Sequence, residues 1–259
     1  MNEAASPFHL AGRVALVTGS SRGIGLAIAD GLARSGASVI LNGRDESRLA
    51  DALDSARGRV PSASWSASAF DVTNEAAIED AVAQCESTAG PIGILVNNAG
   101  IQLRTPLTEI SLENWRAVIE TDLTSAFLVG RTVARRMIQR GHGKIINVCS
   151  VQSELARPGI GAYTAAKGGL RNLTRAMAAE WSSSGLQVNG LAPGYIRTEL
   201  TQSLAADPEF DSWVRNRTPA RRWGRVEDLA GPAVWLASPA SDFVTGQVIY
   251  VDGGMTTVV

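Results

Sequence analysis

Short apolar runs alternate along this chain with longer stretches in which apolar positions recur every three or four residues. The runs Val14–Thr18, Ser38–Leu41, Ile92–Val96, Lys144–Val148, Gln187–Leu191 and Gln247–Val251 are rich in Val, Ile and Leu, the composition of strands buried on both faces. Trp65–Phe70 predicts a weaker strand. Helical periodicity predicts helices over Gly25–Ser35, Asp45–Arg57, Glu75–Thr88, Ser111–Gln139, Ala162–Ser183 and Val226–Ala237, with caps at Thr73-Asn74 and at Ser111-x-Glu113. Strands that alternate with helices imply right-handed crossovers and a parallel sheet covered on both sides. The chain therefore predicts an α/β fold, a doubly wound sheet of about seven strands; a closed barrel would need about eight units.

Length and punctuation add the domain plan. The 259 residues suit one large domain, and no linker, repeat or low-complexity tract divides them. The expected organisation is a loose tail over residues 1–11 and a single domain over 12–259. Within that domain, residues 195–224 break the alternation with Pro208, Pro219 and mixed polarity, so this excursion is read as an irregular substrate lid. The net charge of −1 supplies no global basic field, which argues against nucleic acid or membrane as partner and for a small-molecule substrate. The arginines are dispersed, with short clusters at Arg135-Arg136 and Arg221-Arg222 that read as solvated faces. No apolar run approaches the roughly 18 residues of a membrane span, and Met1–His9 lacks a signal-peptide pattern. Cys85 and Cys149 fall in helix- and strand-like segments and read as reduced thiols, so a cytoplasmic protein is expected.

The first strand leads into Thr18-Gly19-Ser20-Ser21-Arg22-Gly23-Ile24-Gly25, which opens the first helix. Glycines at a strand-to-helix turn let backbone amides approach a pyrophosphate, and the helix N-terminus adds positive potential. Gly19-x-Ser21-x-Gly23 also matches the nucleophile elbow of serine hydrolases, but the only histidines, His9 and His142, are poorly placed to serve Ser21. The second strand ends in Leu41-Asn42-Gly43-Arg44, where an NAD site usually carries an acid for the ribose 2′-hydroxyl. Asn42 is not acidic, Arg44 is basic, and Arg22 can reach the same phosphate. NADP(H) is therefore expected over NAD(H), with Asp45 capping the next helix.

A second constellation lies in the later half of the chain. Lysine occurs only at 144 and 167, and Lys167 stands four residues after Tyr163, one of three tyrosines. Residues i and i+4 share a helix face, so the ammonium is expected near the phenol, lowering its pKa from about 10 and fitting it for acid–base work. From these two residues alone a surface pair is an equally good account. Ser150, alone, reads as a strand-end hydroxyl.

With these motifs assembled, the chain resembles the short-chain dehydrogenase/reductase family over nearly its whole length. Thr18-Gly-x-x-x-Gly-x-Gly25, Asn97-Asn98-Ala99-Gly100, Ser150 with Tyr163-x-x-x-Lys167, and Pro193-Gly194 stand in the family's order. The resemblance implies an open seven-stranded Rossmann-like sheet, carbonyl–alcohol interconversion by hydride transfer, and a homotetramer. It casts Tyr163 as proton donor, Lys167 as its tuner and ribose anchor, and Ser150 as the hydrogen-bond donor to the substrate oxygen. By the same resemblance Gly19, Ser21, Arg22, Gly23, Ile24 and Gly25 meet the pyrophosphate and its surroundings. Asp71-Val72 flank the adenine, Asn98-Ala99-Gly100 line the groove, and Pro193-Gly194, Ile196 and Thr198 meet the nicotinamide end. Where many members carry a relay asparagine on the central helix, this chain has Asp122, which cannot donate when ionised. Arg104, Arg157 and Arg197 surround the expected cleft, and arginine is the natural clamp for a carboxylate. Thr218–Gly224 and Leu41–Arg44 resemble the gluconate 5-dehydrogenase branch, so a sugar-acid substrate is expected, with Arg104 as the leading carboxylate contact. A 3-oxoacyl-thioester reductase is the enzymatic alternative, and an NADP-sensing scaffold the non-enzymatic one.

Overall fold

A computed structural model of the chain describes residues 6–258. The sheet holds seven strands: β1 (Val14–Val17), β2 (Ser38–Gly43), β3 (Trp65–Ala69), β4 (Ile92–Asn97), β5 (Gly143–Val148), β6 (Leu186–Pro193) and β7 (Val248–Val251). Their spatial order is β3-β2-β1-β4-β5-β6-β7, and all six pairings are parallel. The order reverses at β1, so the loops after β1 and β4 diverge and leave a crevice at the carboxyl ends of the strands, where ligands bind in such sheets.

The helices divide between the two faces. On one side α1 (Gly23–Arg34), α2 (Glu46–Arg59) and α9 (Ala230–Ala237) cover Ala15 and Val17 of β1 with Ile94 and Val96 of β4. On the other, α3 (Glu75–Ala89), α5 (Ser125–Arg140) and α6 (Gly161–Trp181) cover Leu16, Leu95 and Ile145. Alternate residues of each central strand thus enter different cores, which is why these strands read as unbroken apolar runs. The edge strand β3 gave a weaker signal for the same reason: only Trp65 of its five residues is buried.

Three segments differ from the sequence expectation. Residues 1–5 of the expected tail lie outside the described residues, but the rest of that tail is packed. Leu10 is fully buried and its N–H donates to Ser35 O at 2.8 Å, while Pro7 O accepts from Ala240 N. The helix expected over Ser111–Gln139 is α4 (Leu112–Ile119) continued into α5 through a wider π turn, Glu120–Thr124. The excursion at 195–224 is not irregular throughout: it contains α7 (Gln202–Ala205) and α8 (Pro208–Arg217). Pro208 begins α8 rather than breaking it, because a first-turn proline has no N–H to leave unpaired. Asp207 caps α8 by accepting from Glu209 N at 3.0 Å.

A buried polar ladder aligns the centre of the sheet. Asn97 and Asn147 are direct partners on β4 and β5. Asn97 Nδ2 donates to Asn147 Oδ1 at 2.9 Å and to Ala126 O at 3.3 Å, and Asn147 Nδ2 donates to Thr174 Oγ1 at 2.9 Å. Two strands are thereby pinned to α5 and α6. Asn147→Ala leaves buried donors and acceptors without partners, so it should lower unfolding free energy by about 2–3 kcal/mol in urea titrations; an unchanged midpoint would mean that the ladder contributes no stability.

Candidate active site

The turn after β1 is shaped by what surrounds it. Gly19 has φ +60°, and a Cβ there would lie 2.8 Å from Ala99 Cα. A Cβ on Gly25 would lie 2.4 Å from Asn98 Nδ2. Asn98 Nδ2 donates to Thr18 O and Gly19 O at 3.0 and 2.9 Å, while Thr18 Oγ1 accepts from Asn98 N and Ala99 N. These bonds lace the turn after β1 to the turn after β4. At the start of α1, Arg22 makes no side-chain cap and the first turn has no acidic residue. Its positive potential is therefore left for an anion, and the crowded glycines bring backbone close to that point. Both features fit the pyrophosphate of a dinucleotide.

Asn42 closes the neighbouring wall. Its Oδ1 accepts from Gly19 N at 3.2 Å, and its Nδ2 donates to Ser68 O and Phe70 O at 3.2 and 3.1 Å. Its backbone N–H and C=O are paired with Ser20. Arg44 lines the cleft, exposed, 3.6 Å from Asp71 Oδ2, and Arg22 pairs with Glu199 of the 195–224 segment. Asp45 caps α2 through Arg48 N, as its position implied. The hydrolase alternative fails on placement. Ser21 lines the cleft after β1, whereas His9 precedes β1 and His142 precedes β5, at the opposite end of the parallel strands.

Ser150, Tyr163 and Lys167 converge on the same cleft of about 430 Å³. Ser150 follows β5 in extended conformation, and its Oγ accepts from Gln152 N at 3.1 Å. Tyr163 stands in the first turn of α6 with Lys167 one turn on, its Nζ 5.5 Å from the Tyr163 ring centroid. Lys167 Nζ donates to Val148 O at 3.0 Å and lies 3.4 Å from Asp122 Oδ2. Asp122 sits in the π turn, fully buried, and its Oδ1 accepts from Ile101 N at 2.7 Å. Its Oδ2 has no hydrogen-bond partner, so the ammonium satisfies it by charge alone.

The electrostatics correct one sequence expectation. Burial pushes the Tyr163 phenol above its ordinary pKa, and the lowering influence of Lys167 is partly cancelled by Asp122, which raises it. The net shift is upward, a direction the Tyr163–Lys167 spacing could not give because spacing carries no information on burial. Lys167 also loses by burial, but Asp122 and then Tyr163 lift it above the usual lysine range, so it stays protonated at neutral pH. Burial pushes the Cys149 thiol to about 11, which leaves it inert.

The remaining residues fall into two groups. Gly23, Ile24, Val72, Gly100, Pro193, Gly194, Ile196 and Thr198 line the cleft. Of the three mouth arginines only Arg157 lines it. Arg104 is at the rim, its guanidinium donating to Leu200 O and Ser203 Oγ of the 195–224 segment at 3.2 Å each and to Gln102 Oε1 at 3.3 Å. Arg197 is 3.4 Å from Asp211. Arg104, expected as the leading carboxylate contact, thus stands at the rim with its guanidinium bonded to the 195–224 segment. Tyr195 and Gln152 line the cleft without having been singled out. Their proximity to Pro193-Gly194 and Ser150 in sequence was the available signal.

This fold and this arrangement of glycine turn, serine, tyrosine and lysine define a class. The chain belongs to the short-chain dehydrogenase/reductase family, and a family model described as enoyl-(acyl carrier protein) reductase matches residues 19–256. It is 57% identical over 251 residues, 96% of each chain, to gluconate 5-dehydrogenase of Gluconobacter oxydans (strain 621H). It is 46% identical, over 97% of this chain and 98% of the relative, to 5-keto-D-gluconate 5-reductase of Escherichia coli (strain K12). A crystal structure of a gluconate 5-dehydrogenase from Burkholderia cenocepacia J2315 in complex with NADP and tartrate is similar at TM-score 0.94 and 50% identity, covering 98% of both chains.

Asp122 offers a direct test of this geometry. Asp122→Asn removes a negative charge that raises the Tyr163 pKa, so the alkaline rise in alcohol-oxidation rate should move to lower pH. A pH–rate profile identical to that of the unmodified protein would reduce Asp122 to a packing residue.

Proposed function

We propose that this protein is an NADP(H)-dependent oxidoreductase that interconverts a secondary alcohol and a ketone on a sugar acid, in the manner of 5-keto-gluconate reduction. One observation carries the reading: an uncapped glycine turn and a Ser150–Tyr163–Lys167 cluster share one cleft in a chain 57% identical to a gluconate 5-dehydrogenase. The NADP of the Burkholderia complex supports the cofactor, as do Arg22 and Arg44 on the cleft wall.

NADP(H), when bound, supplies the hydride chemistry. The turn from Gly19 to Gly25 would hold its pyrophosphate, Arg44 and Arg22 its 2′-phosphate, Asp71 and Val72 its adenine. Asn98–Gly100 would line its path, with Pro193, Gly194, Ile196 and Thr198 at the nicotinamide end and Lys167 at the ribose hydroxyls. Tyr163 O–H then donates the proton as the substrate carbonyl oxygen gains negative charge, and Ser150 O–H donates a second hydrogen bond to that oxygen. Lys167 stabilises the phenolate left behind. Asp122 keeps Lys167 protonated and in register with Val148 O. In the oxidative direction the same groups run in reverse.

The segment 195–224 acts as the lid over this cleft, with Arg22–Glu199 and Arg104–Leu200 as its ties to the body. We extend the reading to a cytoplasmic homotetramer. The family resemblance carries this extension, and the exposed apolar side chains Leu112 of α4 and Phe127 and Ile138 of α5 are ones that contacts between copies would cover. Among the described residues no helix is long and apolar enough to cross a membrane. The acyl-carrier alternative gains nothing here, since Arg135 and Arg136, its docking candidates, lie 3.4 and 3.6 Å from Glu79 and Glu86.

Purified protein should oxidise NADPH in preference to NADH with 5-ketogluconate, and Arg44→Ala should raise the KM for NADPH about tenfold with little effect on NADH. A higher kcat/KM with NADH would overturn the cofactor reading, and turnover of acetoacetyl thioesters but not keto sugar acids would overturn the substrate reading. Tyr163→Phe should lower kcat by about 10²- to 10⁴-fold while leaving NADPH binding, measured by fluorescence titration, within a few-fold. A variant of near-normal kcat would remove Tyr163 from the proton-transfer step.

A further inference from the structure

Arg157 differs from Arg22 and Arg44, which line the same cleft. Arg22 and Arg44 face Glu199 and Asp71. Arg157 has no carboxylate partner among the described residues, and its buried Nε has no hydrogen-bond partner. Its position is nevertheless set. The guanidinium lies over the Phe210 ring, 5.1 Å from the centroid, and Phe210 belongs to an edge-on aromatic cluster with Tyr195, Trp213 and Trp223. Stacking of this kind holds a guanidinium in place without neutralising it and leaves its planar N–H fork free.

The surroundings describe what that fork would meet. Thr105 N donates to Gly159 O at 2.8 Å, tying the loop that carries Arg104 to the loop that carries Arg157. Burial, and then the charge of Arg157, hold the Arg104 guanidinium below the usual arginine range. Tyr163, Arg157 and Tyr195 line the same cleft, and Arg104 is bonded to Leu200, which lines it too. Gln152, buried beside Ser150 and lining the cleft, has an Oε1 with no hydrogen-bond partner, an acceptor suited to a substrate hydroxyl. The site therefore presents a proton donor at Tyr163, a hydroxyl acceptor at Gln152 and an unpaired cation at Arg157. In a six-carbon keto acid the carbonyl at carbon 5 and the carboxylate are on the order of 5 Å apart along the chain.

We propose that Arg157 is the residue that binds the substrate carboxylate, through a bidentate fork, with Arg104 facing the same anion from the rim. A planar fork matches a carboxylate, and the anion would relieve the repulsion between the two guanidiniums. This assignment rests on the sugar-acid reading above and deepens it by naming the group that separates acid from neutral substrates.

The test uses the NADP-bound protein and two readouts, binding and turnover. With tartrate, a small hydroxy-dicarboxylate, Arg157→Gln should raise the Kd measured by calorimetry about 10- to 100-fold, and Arg157→Lys by less. Arg157→Met retains an unbranched stem against Phe210 but no charge, and should behave as Arg157→Gln does; tartrate binding like that of the unmodified protein in Arg157→Met would show that packing alone was lost and would overturn the proposal. With 5-ketogluconate and an uncharged ketose, the ratio of kcat/KM values should fall about 10- to 100-fold in Arg157→Gln. A ratio or a tartrate Kd that does not move overturns the assignment while leaving the sugar-acid reading intact. If 5-ketogluconate is not a substrate but tartrate binding still depends on Arg157, the clamp stands and the substrate reading falls. Failure of the unmodified holoenzyme to bind tartrate or gluconate would overturn the clamp.

Discussion

The buried ammonium of Lys167 is the constraint around which the site is arranged. Removing such a charge from water costs several kcal/mol unless partners replace its hydration. Two of the partners come from elements distant in sequence, Val148 O at the end of β5 and Asp122 from the π turn, and the third is the Tyr163 ring one turn earlier on α6. Each partner is held in turn. Asp122 is fixed by Ile101 N, and it packs so closely that a Cβ on Gly100 would lie 2.8 Å from its Oδ2. Ser153 Oγ donates to Lys167 O at 2.8 Å, so the Ser150 turn is fastened to the helix that carries the ammonium. The positions of serine, tyrosine and lysine are thus one solution to one desolvation problem. The π turn belongs to that solution, because its extra residue lets Asp122 point inward without breaking the rod from α4 to α5.

The two lysines of this arginine-rich chain illustrate what residue choice can and cannot reveal. Arginine dominates the cations of this chain, a compact ammonium differs from a guanidinium fork in what it can serve, and both lysines are buried. Only one lies in the cleft. Lys144 reaches from β5 to Asp242 Oδ1 at 2.7 Å and Ser241 Oγ at 3.4 Å, fastening the sheet to the turn that precedes β7. The same chemical preference therefore serves architecture at one position and the candidate site at the other. Spacing to Tyr163, rather than rarity, distinguished them.

Most of the fold was legible because burial on both faces leaves a strong mark on central strands. The β3 edge was faint because one-sided burial leaves a weaker mark. What escaped were features that depend on partners distant in sequence. The π turn does not alter the identity of any residue around Asp122. The anchoring of Leu10 depends on Ser35, and α8 was hidden behind a proline that reads as a breaker unless it is known to stand at a helix start. In the site, the glycine turn and the Ser–Tyr–Lys spacing were legible as motifs. The direction of the Tyr163 shift was not, since it depends on how much water the fold removes. The choice of Arg104 over Arg157 had no physical basis in the sequence; only the fold revealed that residues 195–224 accept hydrogen bonds from Arg104, whereas they meet Arg157 through the Phe210 ring.

Asn42 carries a consequence for how such a protein can change. Its side chain occupies the place where an acid would favour the cofactor without a 2′-phosphate, yet every polar group it has is already committed to the scaffold: Gly19 N on one side, Ser68 O and Phe70 O on the other. An aspartate there would turn its second oxygen toward two carbonyls to which it cannot donate. Redox partner choice and the integrity of the β1–β2–β3 crest are therefore inherited together. A lineage that drifts from one nicotinamide pool to the other would have to rebuild this corner of the sheet first, or make the change at Arg44, where the side chain is exposed and owes the fold little.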